Sequence, residues 1–205
     1  MKNFIIYFLL FSSLFGQTRK PEVAGQFYTD DAEKLKSTIE YYLSNESVKS
    51  NEKPLGLICP HAGYYYSGHV AAAAYKQIED HHYETIIILS PSHRVAFDYI
   101  SVFNGDFYET PLGKIAVNNA LSEKLRSADK SIRLSATGHI KKNIFQQGEH
   151  AIEVQLPFLQ MVQQNFKIVP IVIGTQDYKK IELLGEKLQE LQQSENILIV
   201  ASSDL

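Results

Sequence analysis

The chain has 205 residues, 44% of them hydrophobic, which is enough for one sizeable core and one main domain. Lysine and arginine number 20, aspartate and glutamate 23, and the isoelectric point is near 6.2. With a net charge of −3 and no long basic run, this composition argues against a nucleic-acid partner. The single cysteine, Cys59, excludes an internal disulfide framework.

Residues 1–17 have the layout of a secretory signal peptide, with a lysine near the start, an apolar run over Phe4–Leu10 and small residues before Gln17. The sequence therefore predicts export to the periplasm or the medium, and a cytoplasmic protein if the leader does not function. A retained membrane anchor is the alternative reading. The apolar run is short for a membrane span, so no stable anchor is expected. The domain proper is predicted over residues 18–205.

The first predicted elements alternate between helix and strand. In chain order, the patterns indicate a helix over residues 31–43, a strand over 55–59, a helix over 69–80 and a strand over 85–89. A strand–helix–strand unit makes parallel strands, normally with a right-handed crossover. Both strands then end at the same edge of one sheet, which is where open α/β sheets hold their ligands.

The rest of the chain continues the α/β pattern. Asn104-Gly105 predicts a tight hairpin turn between strands over 99–103 and 106–110, because this dipeptide supports positive φ angles. Pro157 should kink or divide the helix in which it falls, and Pro170 suits a strand only at an edge or irregularity. The other elements are a strand over 114–117, helices over 118–127, 149–164 and 178–193, strands over 166–173 and 196–201, and a short strand over 132–134 within a polar loop.

Two histidines follow the first two predicted strands. His61 stands in Cys-Pro-His-Ala-Gly and His93 in Ser-Pro-Ser-His, each at the carboxyl end of its strand. If these strands are neighbours, or have one strand between them, both imidazoles can reach one divalent ion. Imidazole suits iron, zinc, copper or nickel, so two ligands do not select a metal. The alternative is two histidines that only form hydrogen bonds at the starts of loops.

Other polar residues near the first histidine have structural explanations. Cys59 precedes Pro60 and is expected to pack as a small apolar residue rather than to bind a metal. The run Tyr64-Tyr65-Tyr66 offers phenolic donors at a pocket mouth, but at least two of these rings are expected to pack against the glycine turn.

A third group of candidates lies further along the chain. Glu149 and His150 are predicted at a helix start, where the helix dipole would keep the imidazole neutral and able to accept a proton. A capping or ion-pair role is the alternative for Glu149 and for Glu153, one turn later. Asp204 ends the last strand and could orient a histidine or cap a following helix.

These residues lie in longer segments that resemble the Memo family, known in bacteria and archaea as AmmeMemoRadiSam system protein B. That family is related in fold to LigB-type class III extradiol dioxygenases. The resemblance covers nearly everything after the leader, in the family's order, through the segments Pro21–Tyr28, Cys59–Gly68, Leu89–His93, Glu109–Gly113, Glu149–Leu159 and Val200–Leu205.

The resemblance implies a three-layer α/β/α sandwich around a mixed, largely parallel sheet with an inserted β-hairpin. It also implies a non-haem iron (Fe²⁺) site held by His61 and His93, with Glu149, His150 and Asp204 as catalytic residues of the pocket. In the family pattern a further histidine and a cysteine-type ligand follow, so the third ligand and the C-terminal portion are expected beyond residue 205. The system name implies a radical SAM enzyme as a partner.

Four functions remain open from the sequence. The first is an iron-dependent redox or dioxygenase-like protein. The second is a non-catalytic module that captures a small molecule, peptide or phosphopeptide in a pocket rimmed by Tyr64–Tyr66 and Arg94. The third is a zinc-assisted hydrolase, and copper would also suit the imidazoles. The fourth is an inactive fragment with an incomplete metal site.

Overall fold

The computed structural model describes residues 16–141 and 148–204. The predicted leader, residues 1–17, lies outside the described residues except for its last two. No helix in the described ranges has the length and apolarity that a membrane crossing requires. The elements are β1 (Thr18–Arg19), α1 (Ala32–Ser44), β2 (Gly56–Cys59), α2 (Tyr64–Tyr75), β3 (Thr85–Pro91), β4 (Ile100–Val102), β5 (Phe107–Thr110), β6 (Gly113–Ala116), α3 (Asn119–Arg126), β7 (Ile132–Leu134), α4 (Leu156–Val162), β8 (Lys167–Ile173), α5 (Tyr178–Ser194) and β9 (Ile197–Ser202).

The main sheet has six strands in the order β2-β9-β3-β8-β4-β7. Strands β2, β9, β3 and β8 are mutually parallel, whereas β4 is antiparallel to β8 and parallel to β7. A smaller sheet, β1-β5-β6, is linked to the main one through a bridge between Val117 and Ile168. The mixed, largely parallel sheet of the prediction is confirmed.

Strand β3 is apolar on both faces because helices cover both sides of the sheet. Ile86 and Ile88 point into a core shared with α1, α2 and α4, while Ile87 points into a second core with α3 and α5. Alternate residues of a strand face opposite sides, so a central strand between two helical layers reads as a continuous apolar run. The predicted three-layer α/β/α arrangement is confirmed.

The hairpin predicted at Asn104-Gly105 is wrong. The strand before it, β4, pairs with β7 and β8 in the main sheet, and neither residue of the dipeptide adopts a positive φ. The inserted hairpin is instead β5 with β6, which are antiparallel and joined through Pro111 and Leu112. Gly113, at φ 119°, supplies the positive φ at the end of this turn.

Helix α2 begins five residues earlier than the predicted residue 69, at Tyr64 directly after Gly63. Its interior glycine, Gly68, is explained by packing, because a Cβ there would come within 2.5 Å of the Tyr42 ring on α1. The close approach of α1 to α2 therefore requires glycine at this position. The consequence for the site is that His61 stands just before a helix rather than in a long loop.

The helix predicted over residues 149–164 is also shorter than expected. A 3₁₀ turn spans Glu153–Gln155 and α4 begins at Leu156, so Glu149 and His150 lie in a non-helical segment before it. Pro157 falls in the first turn of α4, where its missing N–H costs nothing. Pro170 is in the inner strand β8, opposite the position where β4 ends.

His139 is a buried structural histidine that predicts a pH dependence of stability. Its Nε2 donates to the Ser101 carbonyl at 3.0 Å, and its Nδ1 accepts from the Tyr108 hydroxyl at 2.7 Å. Burial lowers the pKa of His139 from 6.5 to about 3. Between these values the unfolded chain binds a proton that the folded chain does not, so stability falls as the pH falls, by up to about 1.4 kcal/mol per pH unit.

Urea unfolding of the wild type and His139→Gln, repeated between about pH 7 and pH 4, measures this effect. We expect the variant to lose stability less steeply on acidification, because its amide does not titrate. The other histidines contribute equally to the pH dependence of stability in both proteins, so their effect cancels when the two free energies of unfolding are subtracted. Parallel stability curves for the two proteins would contradict the assignment.

Candidate metal centre

Three neighbouring strands each deliver a polar residue to the same edge of the main sheet. His61, His93 and Asp204 lie two residues beyond the ends of β2, β3 and β9, respectively. The strands are parallel, and β9 lies between the other two. This is the carboxyl edge, and the structure brings His61 and His93 together there with one strand between their own.

A third histidine completes a cluster at this edge. The ring centroids of His61 and His93 are 4.9 Å apart, and His150 lies 5.4 Å from the first and 4.8 Å from the second. One ring nitrogen from each of the three lies within 4.8 Å of the others. His61 and His150 are buried, and His93 is partly open to solvent. The arrangement is therefore a three-histidine cluster with one accessible side.

Glu149 fixes the orientation of His93. Its Oε2 accepts from the His93 backbone N–H at 2.7 Å, and its Oε1 lies 3.0 Å from His93 Nδ1. The same Oε1 accepts from the backbone N–H groups of His150 and Ala151 at 2.8 and 3.1 Å. A carboxylate at Nδ1 holds the proton there and leaves Nε2 of His93 as the free donor nitrogen.

Asp204 stands at the mouth of the cluster. Its Oδ1 is 2.8 Å from His61 Nε2 and its Oδ2 is 3.8 Å from His93 Nε2, while 73% of its side chain is exposed. The first contact is close, but it lacks hydrogen-bond geometry, and His61 Nε2 has no hydrogen-bond partner within residues 16–141 and 148–204. The carboxylate is thus adjacent to the two nitrogens that face the cluster.

A buried ion pair supports the segment that contains Glu149 and His150. The Arg19 guanidinium, 2% exposed, contacts the fully buried Glu153 carboxylate and donates to the Glu149 backbone carbonyl. Glu153 also accepts from the Val23 backbone N–H at 3.0 Å and from the Tyr28 hydroxyl at 2.5 Å. The ion-pair alternative for Glu153 is therefore correct, and its partner lies on β1.

Burial favours the neutral forms of the His61 and His150 imidazoles beside the Glu149 carboxylate. Burial lowers the pKa of His61, outweighing the opposite effect of the Asp204 carboxylate. Burial also lowers the pKa of His150, to about 4, with the neighbouring His93 adding to the effect. The helix-dipole explanation predicted for His150 is wrong because the residue precedes the helix. Burial opposes ionisation of Glu149, yet its hydrogen bonds from His93 hold its pKa below the usual range.

The residues present fit a metal ion. Among the described residues, His61 Nε2 and His150 Nδ1 are buried nitrogens without a hydrogen-bond partner. His150 Nδ1 lies 3.3 Å from Glu149 Oε1, again without hydrogen-bond geometry. Unpaired buried polar atoms are rare and call for an explanation such as an ion. Ligands bonded to one ion at about 2.0–2.2 Å stand about 3 Å apart, whereas these nitrogens lie within 4.8 Å of one another, so the three rings would move closer together around an ion.

Cys59 and the tyrosine run do not join the cluster as ligands or rim. Cys59 is fully buried among apolar residues, as predicted, and burial raises the pKa of its thiol to about 12. Tyr64 is buried and its hydroxyl donates to the Val154 carbonyl at 2.7 Å. Tyr65 and Tyr66 are 87% and 82% exposed, so only one of the three rings is buried, where at least two were expected to pack.

A cavity of about 830 Å³ opens beside His93 and Asp204. The ends of β3, β8 and β9 line it, and the tyrosine run contributes no lining residue. Its described lining combines apolar side chains with several hydroxyl groups and contains no lysine or arginine. A cavity of this size at the carboxyl edge suits a small molecule.

Sequence reasoning missed two residues that support the cluster, one by direct contact with His61 and one through the first. Ser202, the last residue of β9, lies 3.0 Å from His61 Nδ1, and Gln155 donates to Ser202 Oγ at 2.8 Å. Strand alternation places Ser202 on the face of Leu198 and Val200, which could have indicated it. No signal indicated Gln155 beyond its polarity within an apolar segment.

Fold and site together define a three-layer α/β protein with a histidine cluster that could bind a metal ion. Comparison with known proteins gives the family. A family model described as Memo-like protein matches residues 19–205. The chain is 38% identical to a MEMO1 family protein of Methanobrevibacter smithii, over 91% of this chain and 68% of the relative.

Two further relatives agree. A MEMO1 family protein of Aquifex aeolicus is 37% identical over 92% of this chain and 67% of its own length. One of Sulfolobus acidocaldarius is 38% identical over 91% and 69%. The chain belongs to the Memo-like protein family, as its motifs predict, and spans about two thirds of the length of these relatives.

Proposed function

We propose that the chain is a metal-dependent redox protein in which His61, His93 and His150 hold a non-haem iron ion. The observation that carries the proposal is the convergence of three imidazoles at the carboxyl edge, two of them with unpaired buried nitrogens. His150 then acts as a third ligand, instead of having the catalytic role that the sequence suggested.

The choice of iron comes from the family resemblance. The Asp204 carboxylate, with Oδ1 2.8 Å from His61 Nε2, is compatible with it, because non-haem iron oxygenases place a carboxylate beside their histidine ligands. Bound iron would supply one-electron redox chemistry and the activation of dioxygen. Three imidazoles are also the ligand set of catalytic zinc, so zinc-assisted hydrolysis is the second candidate.

The chain's own residues have separate roles in this proposal. Glu149 holds the Nδ1 proton of His93 and so directs its Nε2 to the ion. Asp204 is the exposed carboxylate able to accept or return a proton at the cavity mouth. The cavity beside His93 has the size for a small molecule, and its described lining contains no lysine or arginine side chain that could pair with a phosphopeptide. Export and a radical SAM partner stay predictions from the sequence.

Metal competition tests the proposal. Purified chain would be loaded anaerobically with Fe²⁺, with Zn²⁺ and with an equal mixture, and the bound metal measured by elemental analysis before and after a chelator. We expect about one equivalent of chelatable iron per chain, with dioxygen uptake by the iron form alone. Zinc binding without iron binding would favour the second candidate. Binding of neither ion would contradict both.

A further inference from the structure

The hydrogen bonds around Gln155 have one consistent assignment. Gln155 is 1% exposed, and one end of its amide contacts the Pro60 carbonyl at 2.9 Å. A carbonyl can only accept, so this end is the amide nitrogen, and its second proton points at Ser202 Oγ at 2.8 Å. The amide oxygen then accepts from the Tyr75 hydroxyl at 2.8 Å.

The hydrogen bonds of Ser202 determine which nitrogen of His61 carries the ring proton. The Ser202 hydroxyl has a single proton, and it is directed to the Ala151 carbonyl at 2.7 Å, which can only accept. Ser202 Oγ already accepts from Gln155, so its remaining contact, 3.0 Å from His61 Nδ1, must be one in which the imidazole donates. Nδ1 of His61 therefore carries the ring proton, and Nε2 carries a lone pair.

We infer that Gln155 and Ser202 are positioning residues that fix the tautomer of His61 and direct its Nε2 lone pair into the histidine cluster. Ser202 contacts Nδ1 of His61 as Glu149 contacts Nδ1 of His93. The tautomers of two of the three imidazoles are therefore fixed by residues outside the cluster. The role of Nε2 rests on the proposed metal function, whereas the tautomer itself does not depend on a metal.

One group favours the opposite tautomer. The Asp204 carboxylate is 2.8 Å from His61 Nε2 and would attract a proton there. That contact lacks hydrogen-bond geometry, and the carboxylate is 73% exposed, so water screens it. The buried contacts of Ser202, with all partners within 3.0 Å, are therefore expected to decide the tautomer.

Nitrogen-15 NMR of the metal-free chain tests the tautomer directly, above neutral pH where imidazole is uncharged. We expect His61 to carry its proton on Nδ1 in the wild type and to change toward the Nε2–H form in Ser202→Ala. Ser202→Thr, which keeps the hydroxyl, should behave as the wild type. A wild-type spectrum with the proton on Nε2 would overturn the inference, whether or not the chain binds a metal.

Anaerobic Fe²⁺ titration is the second readout. Loss of a partner that orients a metal ligand typically weakens metal binding about 10- to 100-fold, so this loss of affinity is expected for Ser202→Ala. Ser122→Ala is the matched control, because Ser122 is also buried, on α3, but its hydroxyl has no partner in the part of the chain that the structure describes. Equal affinities for the two variants would also overturn the inference. Failure of the wild type to bind iron would contradict the proposed function and leave the NMR result to decide the tautomer.

Discussion

Arg19→Met should destabilise the folded chain by about 3–5 kcal/mol, the cost expected when one partner of a buried ion pair is removed. Arg19 and Glu153 are 2% and 0% exposed, so the variant leaves a carboxylate in the core without its cation. The guanidinium also donates to the Glu149 carbonyl, so the segment that carries His150 loses its support. The free energy of unfolding in urea measures the loss.

The neighbouring residue provides the control for Arg19. Lys20 also pairs with a carboxylate, Glu109, but 65% of its side chain is exposed. Lys20→Met should therefore change stability by less than about 1 kcal/mol. Neutralising both buried charges in Arg19→Met/Glu153→Gln should recover part of the loss, because no unpaired charge remains. Equal stabilities for Arg19→Met and Lys20→Met would contradict the buried-pair account.

Replacing the first two histidines should remove the bound metal. We expect His61→Ala and His93→Ala each to weaken Fe²⁺ binding more than about 100-fold, because even the outer partners of metal ligands typically contribute about 10- to 100-fold. Both variants should remain folded, since neither removes a large apolar side chain from the core. Elemental analysis and circular dichroism on the same samples separate metal loss from unfolding.

His82→Ala is the matched histidine control. His82 is exposed and precedes β3, at the amino end of the strand whose carboxyl end leads to His93. The change is chemically identical but lies at the opposite edge of the sheet, so the metal content should equal that of the wild type. Retention of iron in His61→Ala or His93→Ala at the level of His82→Ala would remove these residues as ligands.

The meeting of His61 and His93 at one edge could be predicted from local signals. Each follows a short apolar run, and the helix between the runs requires a crossover that makes the strands parallel. The intervening strand could not be identified, because β9 comes more than 100 positions later in the chain. The position of β9 between β2 and β3 depends on long-range contacts, and it also brings Asp204 to the carboxyl edge of the sheet.

The wrong predictions arose where local patterns compete with long-range contacts. The Asn104-Gly105 signal is local, whereas β4 is stabilised by its hydrogen bonds to β8 in the main sheet, which are long-range. The segment of Glu149 and His150 has helical spacing, yet it is non-helical in the structure, and Arg19, 130 positions away, binds the Glu149 carbonyl. Because that contact cannot be read from spacing, His150 could not be placed in the cluster.

The most direct measurement is anomalous diffraction at the iron absorption edge from crystals of the iron-loaded chain. We expect one anomalous peak among the three imidazoles, next to the nitrogen atoms of His61, His93 and His150 that face one another. A peak at another place in the molecule, or no peak beside these rings in crystals that contain stoichiometric iron, would contradict it.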